Sequence, residues 1–278
     1  VLKMKKVLVL SLSVLLLAAC GLNNNPATNK KEIKFGDVMN KGKTVSFKLN
    51  NNEEETSAPD KNSPISAYIF TDNGKVKVYN SNGNTKMEDM KDKTYSEILK
   101  MAKKQDKEHF DKNKPIFTEK IKNDYETEKE NYEEGIKLRG EKSDATQIDK
   151  RTMEEYEKTY RDLKNLKYQE PKERDVKIGV VEDGSGNDTK KEYFYTTPDG
   201  FDNESYKFIH NPKNLNKDYV YTMKSSGDTV KIYDDNYAFL DNDEYEDDRA
   251  YLITKVSDKA ESSELDKPDS KNVEVEKD

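Results

Sequence analysis

Hydrophobic positions change their spacing several times along this chain. Residues 7–17 form an apolar run interrupted by Ser11 and Ser13 alone, whereas residues 44–49 (TVSFKL) alternate apolar with polar. Residues 65–79 alternate again, as ISAYIF, Thr71-Asp72-Asn73-Gly74 and KVKVY. A period of two marks a half-buried strand, and Asn73-Gly74, both tolerant of positive φ, predicts a hairpin turn. From Thr94 the period becomes helical. Thr94 and Glu97 fit a capping box, and Tyr95, Ile98, Leu99, Ala102 and Phe110 share one face of a helix that Pro115 is expected to stop. Phe117, Ile121, Tyr125, Tyr132 and Ile136 mark a second helix ending at Gly140. A third opens at Asp144 and Gln147, carries Ile148, Met153, Tyr156, Tyr160 and Leu163, and ends before Pro171. The short loop between these two predicts an antiparallel helical hairpin. Its narrow stripe buries little, so the hairpin either leans on a sheet or projects as a solvated arm. From Asp175 the period returns to two. VKIGVVE and EYFYTT flank a turn at Asp183-Gly184-Ser185-Gly186-Asn187, residues 219–223 and 229–233 read as another hairpin, and residues 237–240 and 249–256 add strands. The pattern predicts an α+β fold, with antiparallel β-hairpin segments flanking a helical segment that contains the helical hairpin.

The first nineteen residues stand apart. Lys3, Lys5 and Lys6, the apolar run, and small residues ahead of an expected cut are the three parts of a secretory signal. The run is shorter than the roughly 20 residues a membrane-spanning helix needs, so removal is expected in place of a permanent span. Leu17-Ala18-Ala19-Cys20 resembles the lipobox of bacterial lipoproteins at all four positions. The resemblance implies cleavage between Ala19 and Cys20 and a diacylglyceryl group on the Cys20 thiol. Acyl chains, at about 0.8 kcal/mol per buried CH₂, would then hold the protein on the extracellular face of the cell membrane. The Lys, Asn, Asp and Glu bias also resembles in style the surface lipoproteins of staphylococcal-type Gram-positive bacteria.

Composition narrows the rest. Cys20 is the one cysteine of the chain, so once lipidated it leaves no thiol for disulfides, metal binding or nucleophilic catalysis. Removing the three lysines of residues 1–19 takes the formal charge from −7 to −10, which argues against nucleic acid as a partner and leaves the lipid to overcome repulsion from an anionic membrane. With 38% charged and 32% hydrophobic residues the core is expected to be thin, while 17 Tyr and 9 Phe argue that much of the chain packs. The expected organisation is a signal peptide (1–19), a lipidated cysteine with a flexible tether (20–31), a β-rich region ending in a helix (32–115), a helical hairpin (116–171), a second β-rich region (172–256) and a disordered acidic tail (257–278).

Candidate chemistry is sparse. Gly36 and Gly42, ahead of Lys43-Thr44, are separated by five residues where a phosphate loop needs four. Asp183, Ser185 and Asn187 alternate as calcium-loop ligands do but lack the closing glutamate, because Phe194 stands there. Asp241, Asp243, Glu244, Glu246, Asp247 and Asp248 form the densest acidic run, more readily a solvated loop than a cation site. His109 and His210 belong to no metal-ligand or triad pattern. No catalytic set, metal or cofactor is expected. The leading reading is a non-enzymatic surface-display or interaction lipoprotein, with the membrane as one partner and an envelope or host component as another. The alternatives are a solute-binding component of a transporter and, behind it, an exported hydrolase.

Overall fold

Asn73 and Gly74 adopt φ of 48° and 81°, the pair of positive values that a two-residue hairpin turn matched to strand twist requires. The computed structural model describes residues 25–50, 58–202, 207–210, 220–244 and 249–277. In chain order its elements begin with β1 (Glu32–Lys34), α1 (Phe35–Asn40), β2 (Lys43–Asn50), β3 (Ile65–Asp72) and β4 (Lys75–Asn80). The helices α2 (Tyr95–Arg139) and α3 (Asp144–Asn165) follow, then β5 (Arg174–Asp175), β6 (Ile178–Glu182), β7 (Thr189–Phe194), β8 (Gly200–Phe201) and β9 (Phe208–Ile209). The remainder is β10 (Tyr221–Met223), β11 (Ser225–Ser226), β12 (Val230–Ile232), β13 (Asp235–Asp241), β14 (Ala250–Val256), β15 (Ser262–Glu264) and β16 (Glu274–Val275). The fold is α+β, as the pattern of periods predicts.

The two β-rich regions share one sheet. Its order is β11-β13-β14-β2-β3-β4-β5, with β12 also on β13, and every pairing is antiparallel. One face carries Val45, Phe47, Tyr68, Phe70, Tyr79, Tyr237, Phe239, Tyr251 and Ile253 against Met87, Met90 and the start of α2. Large aromatics bury about 150–250 Å² each, worth on the order of 4–6 kcal/mol apiece before the entropy of ordering them is counted. The other face carries Ala67, Ile69, Val76, Val78, Ala238, Leu240 and Leu252 against α1 and a second sheet ordered β10-β7-β6-β16. The body is therefore a helix layer, a large sheet and a small sheet.

Four expectations are overturned. Residues 25–31 are no loose tether: Asn25 is buried, its side chain accepts from Ala27 N at 2.9 Å and donates to Thr44 Oγ1 at 2.7 Å, and Pro26–Asn29 form a 3-10 turn. Pro115 lies inside α2, which runs unbroken to Arg139. Its ring is exposed, so the carbonyl it leaves unpaired meets water, and the flanking Lys and Glu residues favour helix. The segments at 219–223 and 229–233 do not pair with each other, because β10 joins β7 in the small sheet while β12 joins β13. Buried Met223 holds the first of them between the sheets.

The fourth concerns residues 257–278, which form a strap across the body up to Lys277. Here β15 pairs in parallel with β1, and β16 with β6. Ala260, Ser263 and Asp266 are buried, so a stretch with few apolar residues is ordered chiefly by hydrogen bonds. Asp266 Oδ2 accepts from Gly36 N at 2.6 Å, Asp266 N donates to Glu192 Oε2 at 3.1 Å, and Thr189 Oγ1 donates to the Asp266 carbonyl at 2.5 Å. Burial pushes the Glu192 carboxyl well above the usual range, and the neighbouring Asp266 charge adds to it. Burial also raises Asp266, while the donors from Gly36 and Glu192 pull it back. Glu192 Oε2 accepts from the Asp266 amide while Oε1 finds no hydrogen-bond partner among the described residues, so burial disfavours the charged carboxylate there.

Ending the chain at Lys259 is expected to cost several kcal/mol and to lower the thermal midpoint by on the order of 10 °C; a strap of no structural weight would leave calorimetry unchanged. A carboxyl with a raised folded pKa binds more protons folded than unfolded. The stability it contributes is full below its unfolded pKa of about 4.3 and is lost as pH rises through the folded value. Glu192→Gln, which keeps a donor but does not titrate, is expected to flatten that fall. Urea midpoints across this pH window, wild type against variant, check the difference.

Candidate functional site at the root of the helical arm

The four-residue steps of α2 run Ile98, Ala102, Asp106, Phe110, so an aspartate occupies the face that packs on the body. Gln105 and Asp106 are both buried. Gln105 Oε1 accepts from Tyr68 Oη at 3.0 Å and Ser81 Oγ at 3.2 Å, and its Nε2 donates to Thr85 Oγ1 at 2.8 Å. Asp106 Oδ1 accepts from the backbone and side-chain nitrogens of Asn80 at 2.8 and 2.9 Å, and Oδ2 from Tyr168 Oη at 3.0 Å. Burial nonetheless raises the Asp106 carboxyl. Burial together with Asp106 raises the Tyr168 phenol too. Asn80 Nδ2 also donates to the Asp199 carbonyl at 2.8 Å, which links the helix to the β8–β9 segment.

Beside this polar network lies an aromatic cluster. Phe110 meets Phe201 and Phe208 with ring centroids 5.7 and 5.4 Å apart, Phe117 stacks on Phe201 at 4.8 Å, and Phe208 contacts the His210 ring at 4.7 Å. His210 Nδ1 lies 3.3 Å from Asp199 Oδ2, and the Asp199 side chain is 8% exposed. A groove of about 290 Å³ opens here between the end of α3 and β9, with Leu163, Leu166 and Phe208 as its apolar part and Thr159, His210 and Lys207 among its polar groups.

An Asp–His pair orients an imidazole for proton transfer, but the hydroxyl in the groove, Thr159 Oγ1, already donates to the Glu155 carbonyl at 2.9 Å. Asp106 accepts from three donors and is buried, so it joins α2 to β4 and to the chain that follows α3.

The residues singled out from sequence have other duties. Gly36 N is taken by Asp266 and Gly42 N by Asn73 Oδ1 at 2.9 Å, while Lys43 and Thr44 lie in β2, so no phosphate loop forms. Asp183 closes its own turn by accepting from Ser185 and Asp188, which lowers its pKa and leaves an ordinary hairpin loop. Asp241 is buried against Arg249, with Nε at 3.1 Å and Nη2 at 2.5 Å. Glu244 pairs with Lys224, and Glu246, Asp247 and Asp248 lie outside the described residues, as does the Leu17 to Cys20 lipobox. No group of three or more metal-ligating side chains occurs among the described residues. His109 is half-buried on α2, where burial lowers its pKa. The Asp199–His210 pair escaped sequence reasoning because nothing in the spacing announces the turn of chain that joins them. Asp106 was within reach: it sits on the Ile98 stripe, halfway between Ala102 and Phe110.

Tyr168→Phe removes one donor from a buried carboxylate and is expected to cost about 1–3 kcal/mol, read as a lower urea midpoint with an unchanged slope; a neutral result would make the Asp106 network dispensable. Set against family models, curated proteins and solved structures, the chain matches none.

Proposed function

We propose that this is a lipid-anchored, non-enzymatic surface protein that acts by presenting contact surface, above all its helical arm, to envelope material, a host component or a partner protein. The arm carries the reading. At 1.5 Å per residue the 45 residues of α2 extend about 68 Å, far more than the sheet needs for cover. Beyond Phe117 the buried residues of α2 are Ile121 and Gly135, and near the far end Leu138 is 70% and Ile148 54% exposed. Ordering this much chain for so little core is unfavourable unless the surface itself is used.

Anchorage at Cys20 fits this geometry. The described body begins at Asn25, five residues later, a span of at most about 18 Å. So short a link favours a body held against the membrane and an arm that supplies reach. A transporter component is less favoured, because such proteins are built on parallel β-α-β alternation, whereas every pairing of the large sheet is antiparallel. A hydrolase is less favoured because the hydroxyl in the groove beside the Asp199–His210 pair, Thr159 Oγ1, is already engaged by the Glu155 carbonyl.

The Cys20→Ala variant is expected to lose incorporation of labelled palmitate and to leave the membrane fraction for the soluble one. A variant that stayed membrane-bound without label would overturn the anchor. A photo-crosslinking residue at Leu138 in intact cells is expected to capture an envelope, host or partner component that the same residue at Lys75, on the body, does not.

A further inference from the structure

Lys48 lies on β2, on the face turned to the small sheet, and is half-buried. Its Nζ sits 4.8 Å from the centroid of the Tyr221 ring. No hydrogen bond or ion pair engages that ammonium among the described residues. Burial lowers its pKa, and no neighbouring carboxylate opposes the shift. Charges withdrawn from water are ordinarily paired, and an aromatic face replaces only part of the lost hydration.

Lys48 lines a cavity of about 220 Å³ at the seam between the sheets, together with Tyr221 and Met223 of β10, Ala250 and Asn242. Glu244 also lines it, with its charge engaged by Lys224 at the rim. At about 30 Å³ per water-sized group the space holds roughly seven such groups. It therefore combines a part-buried cation with no counter-ion among the described residues, a ring and a thioether for apolar contact, and room for a short molecule. We propose that this pocket binds a small organic monocarboxylate, with the carboxylate on Lys48 Nζ and the short carbon chain against Tyr221 and Met223. The Glu244 carboxylate in the same lining disfavours a dianion, because like charges repel most strongly where water is scarce.

Titration of the full mature chain with butyrate, and separately with inorganic phosphate at matched ionic strength, tests the assignment through the Lys48 ¹³Cε resonance. Butyrate is expected to shift that resonance saturably, and phosphate to do so weakly or without saturation. Lys48→Met is expected to weaken butyrate binding, followed calorimetrically, by at least about tenfold while keeping the fold. A Lys48 resonance that butyrate leaves unmoved, or moves without saturation, overturns the site, as does unaltered binding by Lys48→Met. Tighter binding of phosphate than of butyrate overturns the carboxylate class. The wild-type resonance is decisive even if the variant unfolds.

Discussion

The pairing of β2 with β14 organises this molecule. Val45 and Ile253, some two hundred residues apart in sequence, lie on neighbouring strands of one face, and Thr254 Oγ1 donates to the Val45 carbonyl at 3.3 Å. That contact turns two β-rich stretches into one sheet with a continuous core. It also makes the helical block an excursion from the sheet: the chain leaves after β4 and returns at β5, which pairs with β4 through Lys75 with Asp175 and Val76 with Arg174. Because both ends of the excursion are pinned, its length adds little to the entropy of closing it. A long arm is therefore compatible with a modest core.

Covering both faces of the large sheet gives a chain with few apolar residues a polar interior. Thr44, Ser46 and Thr71 stand on the face beneath α1 and the small sheet with almost no exposure. The hydroxyls of Ser46 and Thr71 find no partner among the described residues, at about 1–3 kcal/mol for each group so stranded. The aromatic packing of the opposite face offsets this. Glu192 answers the same constraint with a carboxyl pKa raised by burial and a hydrogen bond from the Asp266 amide, and Lys48 answers it with an aromatic ring and a cavity.

At its root the arm is joined to the body by buried polar groups and a ring cluster, and the helices are joined to each other by a few specific contacts. Lys114 Nζ donates to the carbonyls of Lys164 and Leu166 at 3.0 and 2.7 Å, satisfying orphan groups at the end of α3. Farther out, a Cβ at Gly135 would fall within 2.9 Å of Asp149 Oδ2 and 3.3 Å of Thr146 Oγ1. Glycine there permits the close approach that buries Thr146 and lets Arg139 reach Asp149 at 2.6 Å.

Local features were legible in the sequence wherever their cause is local. The Asn73-Gly74 turn, the capping box with Thr94 N donating to Glu97 Oε2 at 2.8 Å, and the Gly140 terminus at φ 83° follow from steric and hydrogen-bonding properties of a few adjacent residues. The periods that place β2, β3, β4, β13 and β14 are of the same kind. Of the candidate site only the place of Asp106 on the buried stripe was within reach; its meeting with Tyr168, and that of Asp199 with His210, come through chain reversals that spacing does not encode. The strap at 257–277 and the ordered start at Asn25 read as disorder because their few apolar residues are joined to the body chiefly by hydrogen bonds to distant groups, which composition does not show. Sequence alone determined the α+β class, the turns and caps, and the resemblance around Cys20. Tertiary structure alone decided which polar face is covered, since an alternating strand looks the same from sequence whether its second face meets water or another sheet.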